Sequence, residues 1–160
     1  MMNVNIIAVG KLKEKYLTQG CEEYLKRLSA MCKIKITEVD EYKLGDNPKQ
    51  SEIDICIEKE GRRIMEKIPK GSAVIPLCIE GKQMPSVKFS EKISQMAVDG
   101  VSDITFVIGG SYGLWQEIKE MGKIKLSMSE MTFPHQVARL MLLEQIYRAF
   151  SIIKGSKYHK

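Results

Sequence analysis

Apolar residues fall along this chain in two alternating rhythms. Asn3 to Val9 is a short run rich in Val and Ile that breaks at Gly10, the mark of a buried strand entering a loop. Tyr16, Leu17, Cys21, Tyr24, Leu25 and Leu28 then recur at three- and four-residue steps among charged neighbours, which predicts an amphipathic helix over about residues 14–30. Ile34, Ile36 and Val39 alternate with Lys33, Lys35 and Glu38, a second strand with one wet face. Residues 40–50, with Gly45 and Pro48, predict a loop. Ser51 and Asp54 resemble a capping box, and Ile53, Ile57, Ile64 and Ile68 mark the buried stripe of a helix ending before Pro69-Lys70-Gly71. Ala73 to Ile79 is apolar on both faces, as expected at the centre of a parallel sheet. Pro76 is unusual there because proline cannot donate a ladder hydrogen bond.

A helix around residues 89–98 leads to a second continuous apolar run, Ile104 to Ile108, which stops at Gly109-Gly110. A short helix near 115–121 and a last strand over 123–127 follow, and Pro134 opens the longest helix, which reaches about Ile153. Strands alternating with helices in this way imply an α/β sandwich, a mostly parallel sheet with helices on both faces. No repeat or low-complexity linker divides the chain, so residues 1–160 are expected to form one domain. At 160 residues and 44% hydrophobic content, a core can form without disulfide or metal staples. The long helix carries more apolar residues than one sheet contact needs: Val137, Leu140, Met141, Leu143, Ile146, Tyr147, Phe150 and Ile153. The surplus suggests a subunit interface, with full enclosure in the monomer as the alternative.

Composition narrows the function by exclusion. Cys21, Cys32, Cys56 and Cys78 stand singly, and His135 and His159 lie far apart with no ligand-spaced neighbours, so neither a disulfide framework nor a metal site is expected. The apolar start is too short for a signal segment and no stretch suits a membrane span, which points to the cytoplasm. The net charge of +5 is modest, yet from Arg139 onward five Lys or Arg stand against the single acid Glu144, and Lys11, Lys13 and Lys15 follow the first strand. Two such clusters suit a phosphate backbone as well as a plain solvated surface.

In open parallel sheets ligands bind beyond the carboxyl ends of the strands, so the loops after Ile79, Ile108 and Ser127 are the places for chemistry. The second reads Gly109-Gly110-Ser111-Tyr112-Gly113, glycines that permit sharp turns and close approach to main-chain groups. Its spacing is not the dinucleotide fingerprint and no acid ends the next strand, which argues against a nicotinamide-dependent oxidoreductase. The third, Ser127 to Gln136, keeps Met and Phe among small polar residues, suitable walls for an adenine or a thioether, or simply core filling. The final Gly155-Ser156-Lys157-Tyr158-His159-Lys160 crowds an aromatic, an imidazole and cations at an end usually left frayed.

These segments together resemble the RlmH group of the SPOUT methyltransferases. The likeness rests on Ala8-Val9-Gly10-Lys11-Leu12-Lys13, Glu60-Gly61-Arg62-Arg63-Ile64, Phe106-Val107-Ile108-Gly109-Gly110-Ser111 with Gly113, and Met131-Thr132-Phe133-Pro134-His135-Gln136 with Arg139. It continues in Glu144-Gln145-Ile146-Tyr147-Arg148-Ala149-Phe150 and the closing Tyr158-His159-Lys160. The resemblance implies methylation of N3 of a pseudouridine in 23S ribosomal RNA, on assembled 70S ribosomes, by a homodimer. It implies a deep C-terminal trefoil knot holding S-adenosylmethionine against Leu77, Gly109 and the loop residues Met128, Ser129, Glu130, Met131, Thr132 and Phe133. By the same likeness Arg148, Tyr158 and His159 match the residues that hold or activate the RNA base. A ribosome-binding factor without enzymatic activity is the rival reading, separated from the first by whether S-adenosylmethionine binds.

Overall fold

The computed structural model describes residues 1–160. Four parallel strands, β1 (Asn3–Val9), β2 (Lys33–Val39), β3 (Ala73–Lys82) and β4 (Asp103–Ile108), lie in the order β2-β1-β4-β3. The helices between and after them are α1 (Lys15–Leu28), α2 (Gln50–Lys67), α3 (Ser86–Val98), α4 (Gln116–Met121) and α5 (His135–Ile153).

The period-two alternation of the strands sorts the core into two layers. Val4, Ile6, Ala8, Ile75, Ile104, Phe106 and Ile108 face one way and pack with buried residues of α1, α3 and α5, such as Leu28, Ile93 and Ile146. Ile7, Val9, Val74 and Val107 face the other way, against Ile64 of α2 and Ile118 of α4. The sandwich expected from the pattern is therefore the one observed. Along α5 the buried residues include Leu142, Leu143, Ile146, Ala149 and Phe150, whereas Leu140, Met141 and Tyr147 are half-buried and Ile153 is exposed.

Three local expectations fail for identifiable reasons. Ala73–Ile79 is expected at the sheet centre, but β3 is an edge strand, paired with β4 only from Ala73 to Pro76. Its two-sided apolarity arises because each face is still covered, Ile75 in one layer and Val74 in the other. The edge position also accommodates Pro76, whose ring lies against Gly122: a Cβ there would sit 2.4 Å from Pro76 Cδ. The expected strand over 123–127 contracts to Leu126, which bridges Leu77 and Lys82 of β3. Ser51 makes no cap, because α2 starts at Gln50 and its amide takes Asp54 Oδ1 at 2.9 Å.

The stripe of α2 is also rotated. Cys56, Glu60, Gly61 and Ile64 are buried, while Ile53, Ile57 and Ile68 are only partly so. The cause is close packing on Trp115, since a Cβ at Gly61 would lie 2.5 Å from the tryptophan Cβ. Alanine is the better helix former by about 1 kcal/mol, but overpacking costs about 1–3 kcal/mol. A 2.5 Å approach puts the overpacking at the upper end of that range, so Gly61→Ala is expected to destabilise the chain by about 2 kcal/mol in urea unfolding; equal or greater stability would contradict this contact.

Candidate active site

Because the strands are parallel, their carboxyl ends share one rim. There β1 ends at Gly10, which holds φ +84°, and β4 ends at the glycine loop. A cavity of about 860 Å³ opens at this rim. Its walls are Leu77 to Glu80 from the end of β3, Ile108 to Leu114, Lys119, Leu126, and the segment from Met128 to His135 apart from Glu130. Of the residues expected to hold a cofactor, Leu77, Gly109, Met128, Ser129, Met131, Thr132 and Phe133 converge here. Glu130 is exposed and lies outside the lining.

The loops keep their shape through small residues and local hydrogen bonds. A Cβ on Gly109 would lie 2.9 Å from the Gly113 carbonyl carbon, so this approach excludes every other residue. Gly113 holds φ +96°, and its N–H donates to the Gly110 carbonyl at 3.1 Å. In the third loop the Ser127 hydroxyl donates to the Ser129 carbonyl at 3.0 Å, and the Met131 N–H donates to Ser129 Oγ at 3.0 Å. The ends of β3 that sequence reading places in a loop remain strand, but from Leu77 onward they bridge Leu126 instead of β4. The cavity is lined on one side by this end of β3 and on the other by the loop after β4.

Charged groups at the cavity are few and largely paired. Glu80 and Lys119 form an ion pair, which holds the Glu80 carboxyl below its usual range. His135 opens α5 and is pushed below the usual imidazole range, first by burial and then by the cations Arg139 and Lys13, with Glu41 opposing. Behind it, Arg139 is 2% exposed; it donates to Glu38 Oε2 at 2.7 Å and to the Gly10 carbonyl at 3.2 Å. The Lys13 N–H donates to Gln136 Oε1 at 3.3 Å, so the β1–α1 loop is latched to the start of α5.

The second set of expected residues gathers elsewhere. Tyr158 and His159 are half-buried rather than frayed, and both meet Arg148. Arg148 Nε donates to Glu144 Oε1 at 2.9 Å, and its guanidinium lies 4.9 Å from the Tyr158 ring centroid. Arg148 Nη1 and His159 Nδ1 are 3.1 Å apart. A guanidinium only donates, so His159 Nδ1 accepts and the proton of a neutral ring sits on Nε2. The Tyr158 ring stands edge-on to Tyr147 at 4.7 Å, and its hydroxyl donates to Glu144 Oε1 at 3.3 Å. A hydrogen bond with Tyr24, followed by burial, pushes the Tyr158 hydroxyl up to about 12, so it stays a phenol at neutral pH.

Glu144 sits nine residues beyond His135, about 13 Å along the helix axis. Within one chain the tail cluster and the glycine-walled cavity are therefore separate. A smaller cavity of about 480 Å³ lies between them; it reaches Glu144 at one end and shares Leu126 and Met128 with the larger one. Sequence reasoning gave no role to Glu144, His135, Arg139 or Glu60. For Glu60 a signal exists: it stands four residues from both Cys56 and Ile64 on the buried stripe, where an acid is out of place.

The thiols divide by place. Cys21, Cys32 and Cys56 are buried, and burial pushes Cys32 and Cys56 up to about 11. Cys78 is half-buried on the cavity wall, raised mainly by burial. A maleimide is expected to label Cys78 alone in the folded chain, more slowly than a free thiol, with further slowing when the cavity is filled. Peptide mapping that finds Cys32 or Cys56 labelled first would contradict this placement.

No group of three or more His, Cys, Asp or Glu side chains is placed to hold a metal ion, and no helix is long and apolar enough to cross a membrane. The chain matches the family described as "Predicted SPOUT methyltransferase" over residues 2–159. It is 52% identical to the "Ribosomal RNA large subunit methyltransferase H" of Leuconostoc mesenteroides subsp. mesenteroides, across 99% of this chain and all of the relative. The proteins of the same name from Clostridium kluyveri and Bacillus cytotoxicus show the same identity and coverage. Among solved structures, a probable methylase family protein from Haemophilus influenzae aligns with a TM-score of 0.50 at 12% identity, over 99% of this chain and 70% of the other. With a strand-end cavity walled by glycines and a full-length family match, this chain belongs to the SPOUT methyltransferases.

Proposed function

We propose that this chain is an S-adenosylmethionine-dependent enzyme that methylates N3 of a pseudouridine in 23S ribosomal RNA. On this reading it acts in the cytoplasm, on assembled 70S ribosomes, as a homodimer of single-domain subunits with the trefoil threading of its family. The observation that carries the reading is the cavity at the strand ends. Its volume falls in the range of small-molecule sites. Leu77, Met128 and Phe133 offer apolar and aromatic walls, and Gly109 leaves main-chain groups uncovered where any Cβ would collide. These features fit an adenosyl thioether. The bound donor supplies an electrophilic methyl group, and the protein's task is to hold the acceptor in line with it.

The tail residues suit the acceptor. N3 of pseudouridine must lose an imide proton, and the negative charge then spreads onto the neighbouring carbonyl oxygens. Arg148 can face that oxygen once it loosens from Glu144, and His159 Nε2–H can donate to the same base edge. After release from Arg148, the freed Nδ1 of His159 is also able to accept the proton. Tyr158, fixed as a phenol, offers a ring face for stacking. The separation of tail and cavity along α5 supports the homodimer: a second copy can bring its tail to the first copy's cavity, and the half-exposed Leu140, Met141 and Tyr147 offer a surface for that contact.

The test is transfer of labelled methyl from S-adenosylmethionine to ribosomes lacking the modification, with nuclease mapping of the label. Label on one large-subunit pseudouridine is expected. If the chain bound ribosomes but neither bound the donor nor transferred label, the non-enzymatic ribosome-binding reading would replace this one.

A further inference from the structure

Behind the glycine loop lies a buried acid that the reading above does not use. Glu60 is 4% exposed. Its Oε2 accepts the Tyr42 N–H at 3.0 Å, while Oε1 is buried without a hydrogen-bond partner. That free oxygen points at the loop: a Cβ on Gly110 would lie 2.9 Å from Glu60 Oε1 and 3.2 Å from Val9 Cγ1. Gly110 lines the cavity and Glu60 does not, so the carboxylate stands one residue behind the wall. Gly110 has no positive φ; what it requires of its residue is the absence of a side chain between the acid and the cavity.

A carboxyl oxygen left unpaired in the interior is costly, and a sequence gains by removing it unless the field of its ionised form is used. The other charges near the cavity offset that field only in part. Glu80 and Lys119 neutralise each other, and His135 is held toward its neutral form. Arg63, on the same helix as Glu60, opposes the field, although its Nη1 is committed to the Asp40 carbonyl and its guanidinium lies 6.0 Å from the Tyr42 ring centroid. Glu41 adds further negative charge from the β2–α2 loop. The cavity therefore has an electronegative back wall.

We infer that Glu60 makes the cavity selective for a cationic occupant, favouring the sulfonium donor over the neutral thioether that remains after methyl transfer. This rests on the methyl-donor reading above and deepens it. Methyl transfer removes the positive charge at sulfur, so the attraction holding the donor disappears from the product. The ionised carboxylate one layer behind the wall thus aids both loading and product release. Burial holds Glu60 above its usual range against the downward pull of the Tyr42 N–H and the Cys56 thiol; a cation in the cavity would add to that pull and favour the ionised carboxylate.

The experiment is calorimetric binding of three probes, S-adenosylmethionine, sinefungin (an amine cation at the sulfonium position) and S-adenosylhomocysteine, to wild type and to Glu60→Gln. In Glu60→Gln the two cationic probes are expected to weaken about tenfold and the neutral one to change less than about twofold, as for loss of one charge in a partly screened interior. Thermal melting checks folding, and Glu60→Met gives a second neutral side chain if the amide variant fails to fold. Glu60→Asp, which keeps the charge, is expected to keep the wild-type order of the probes. Equal weakening of all three would make Glu60 a structural support only, and an unchanged ratio would also overturn the inference. Failure of wild type to bind any probe would sink the methyl-donor reading itself, and the inference with it.

Discussion

Arg139→Ala is expected to lower the free energy of unfolding by about 3 kcal/mol, the low end of the loss when one partner of a buried ion pair is removed. Arg139 joins three parts of the chain: it sits on α5, binds Glu38 at the end of β2, and caps the carbonyl of Gly10 where β1 stops. Alanine leaves a cavity, an uncapped carbonyl and an unpaired Glu38. The Glu38 side chain is 36% exposed and regains water, which keeps the loss from the upper end of that range. Arg139→Lys is expected to recover less than half, because an ammonium cannot reach both partners with a planar fork. The loss should also reach the site. Gly10 lies beside His135, with Nε2 3.9 Å from where a Gly10 Cβ would stand, so loosening the β1–α1 loop should weaken donor binding more in Arg139→Ala than in Gly61→Ala, which packs on the opposite layer. Urea unfolding and calorimetry together check this; an Arg139→Ala protein within 1 kcal/mol of wild type, about the size of one ordinary hydrogen bond, would show that the latch is not structural.

Arg139 also marks what the sequence made legible. Its spacing on the long helix shows an arginine close to the buried stripe, but its partners lie 101 and 129 positions away in the chain, and no local pattern carries that information. Features set by short-range periodicity were readable: the strands β1, β2 and β4, the long helix, and the alternation that sorts Ile6 from Ile7. Features decided by which strand lies beside which were not. Ala73–Ile79 has the two-sided apolarity of a central strand because helices cover an edge strand just as completely, and only Pro76 hinted at the edge. The site divides likewise. The glycine loop and the Met-Phe loop stand out because their composition is odd for connections, whereas Glu60 shows only by its spacing from Cys56 and Ile64, and its partners, Tyr42 and the glycine loop, appear only in the fold. The tail looked frayed by position and is held instead by Arg148 and Glu144, side chains one helical turn apart whose common target only the fold supplies.

A chain ending at Ser156 is expected to lose methyl transfer by at least about a hundredfold in kcat, the usual scale for losing a positioned acid–base group, while binding S-adenosylmethionine within about twofold of wild type. The split follows from geometry. Tyr158 and His159 contact Arg148, Glu144 and Tyr147, none of which lines the glycine-walled cavity, so removing them should leave the donor's walls intact. Single substitutions should rank in a particular order. His159→Ala loses the imidazole and should approach the truncation. Tyr158→Phe keeps the ring face and loses only a hydroxyl already committed to Glu144, so it should retain most activity; Tyr158→Ala should not. On the proposed mechanism Arg148→Ala removes the cation that would face the developing negative oxygen and also frees Glu144 as an uncompensated carboxylate, so it should be at least as damaging as His159→Ala. Rates on unmodified ribosomes, with donor affinity measured separately, decide the matter. If the truncated chain kept its kcat, the acceptor would have to be held by residues around the cavity itself, and the tail cluster would be only a clasp on the end of α5.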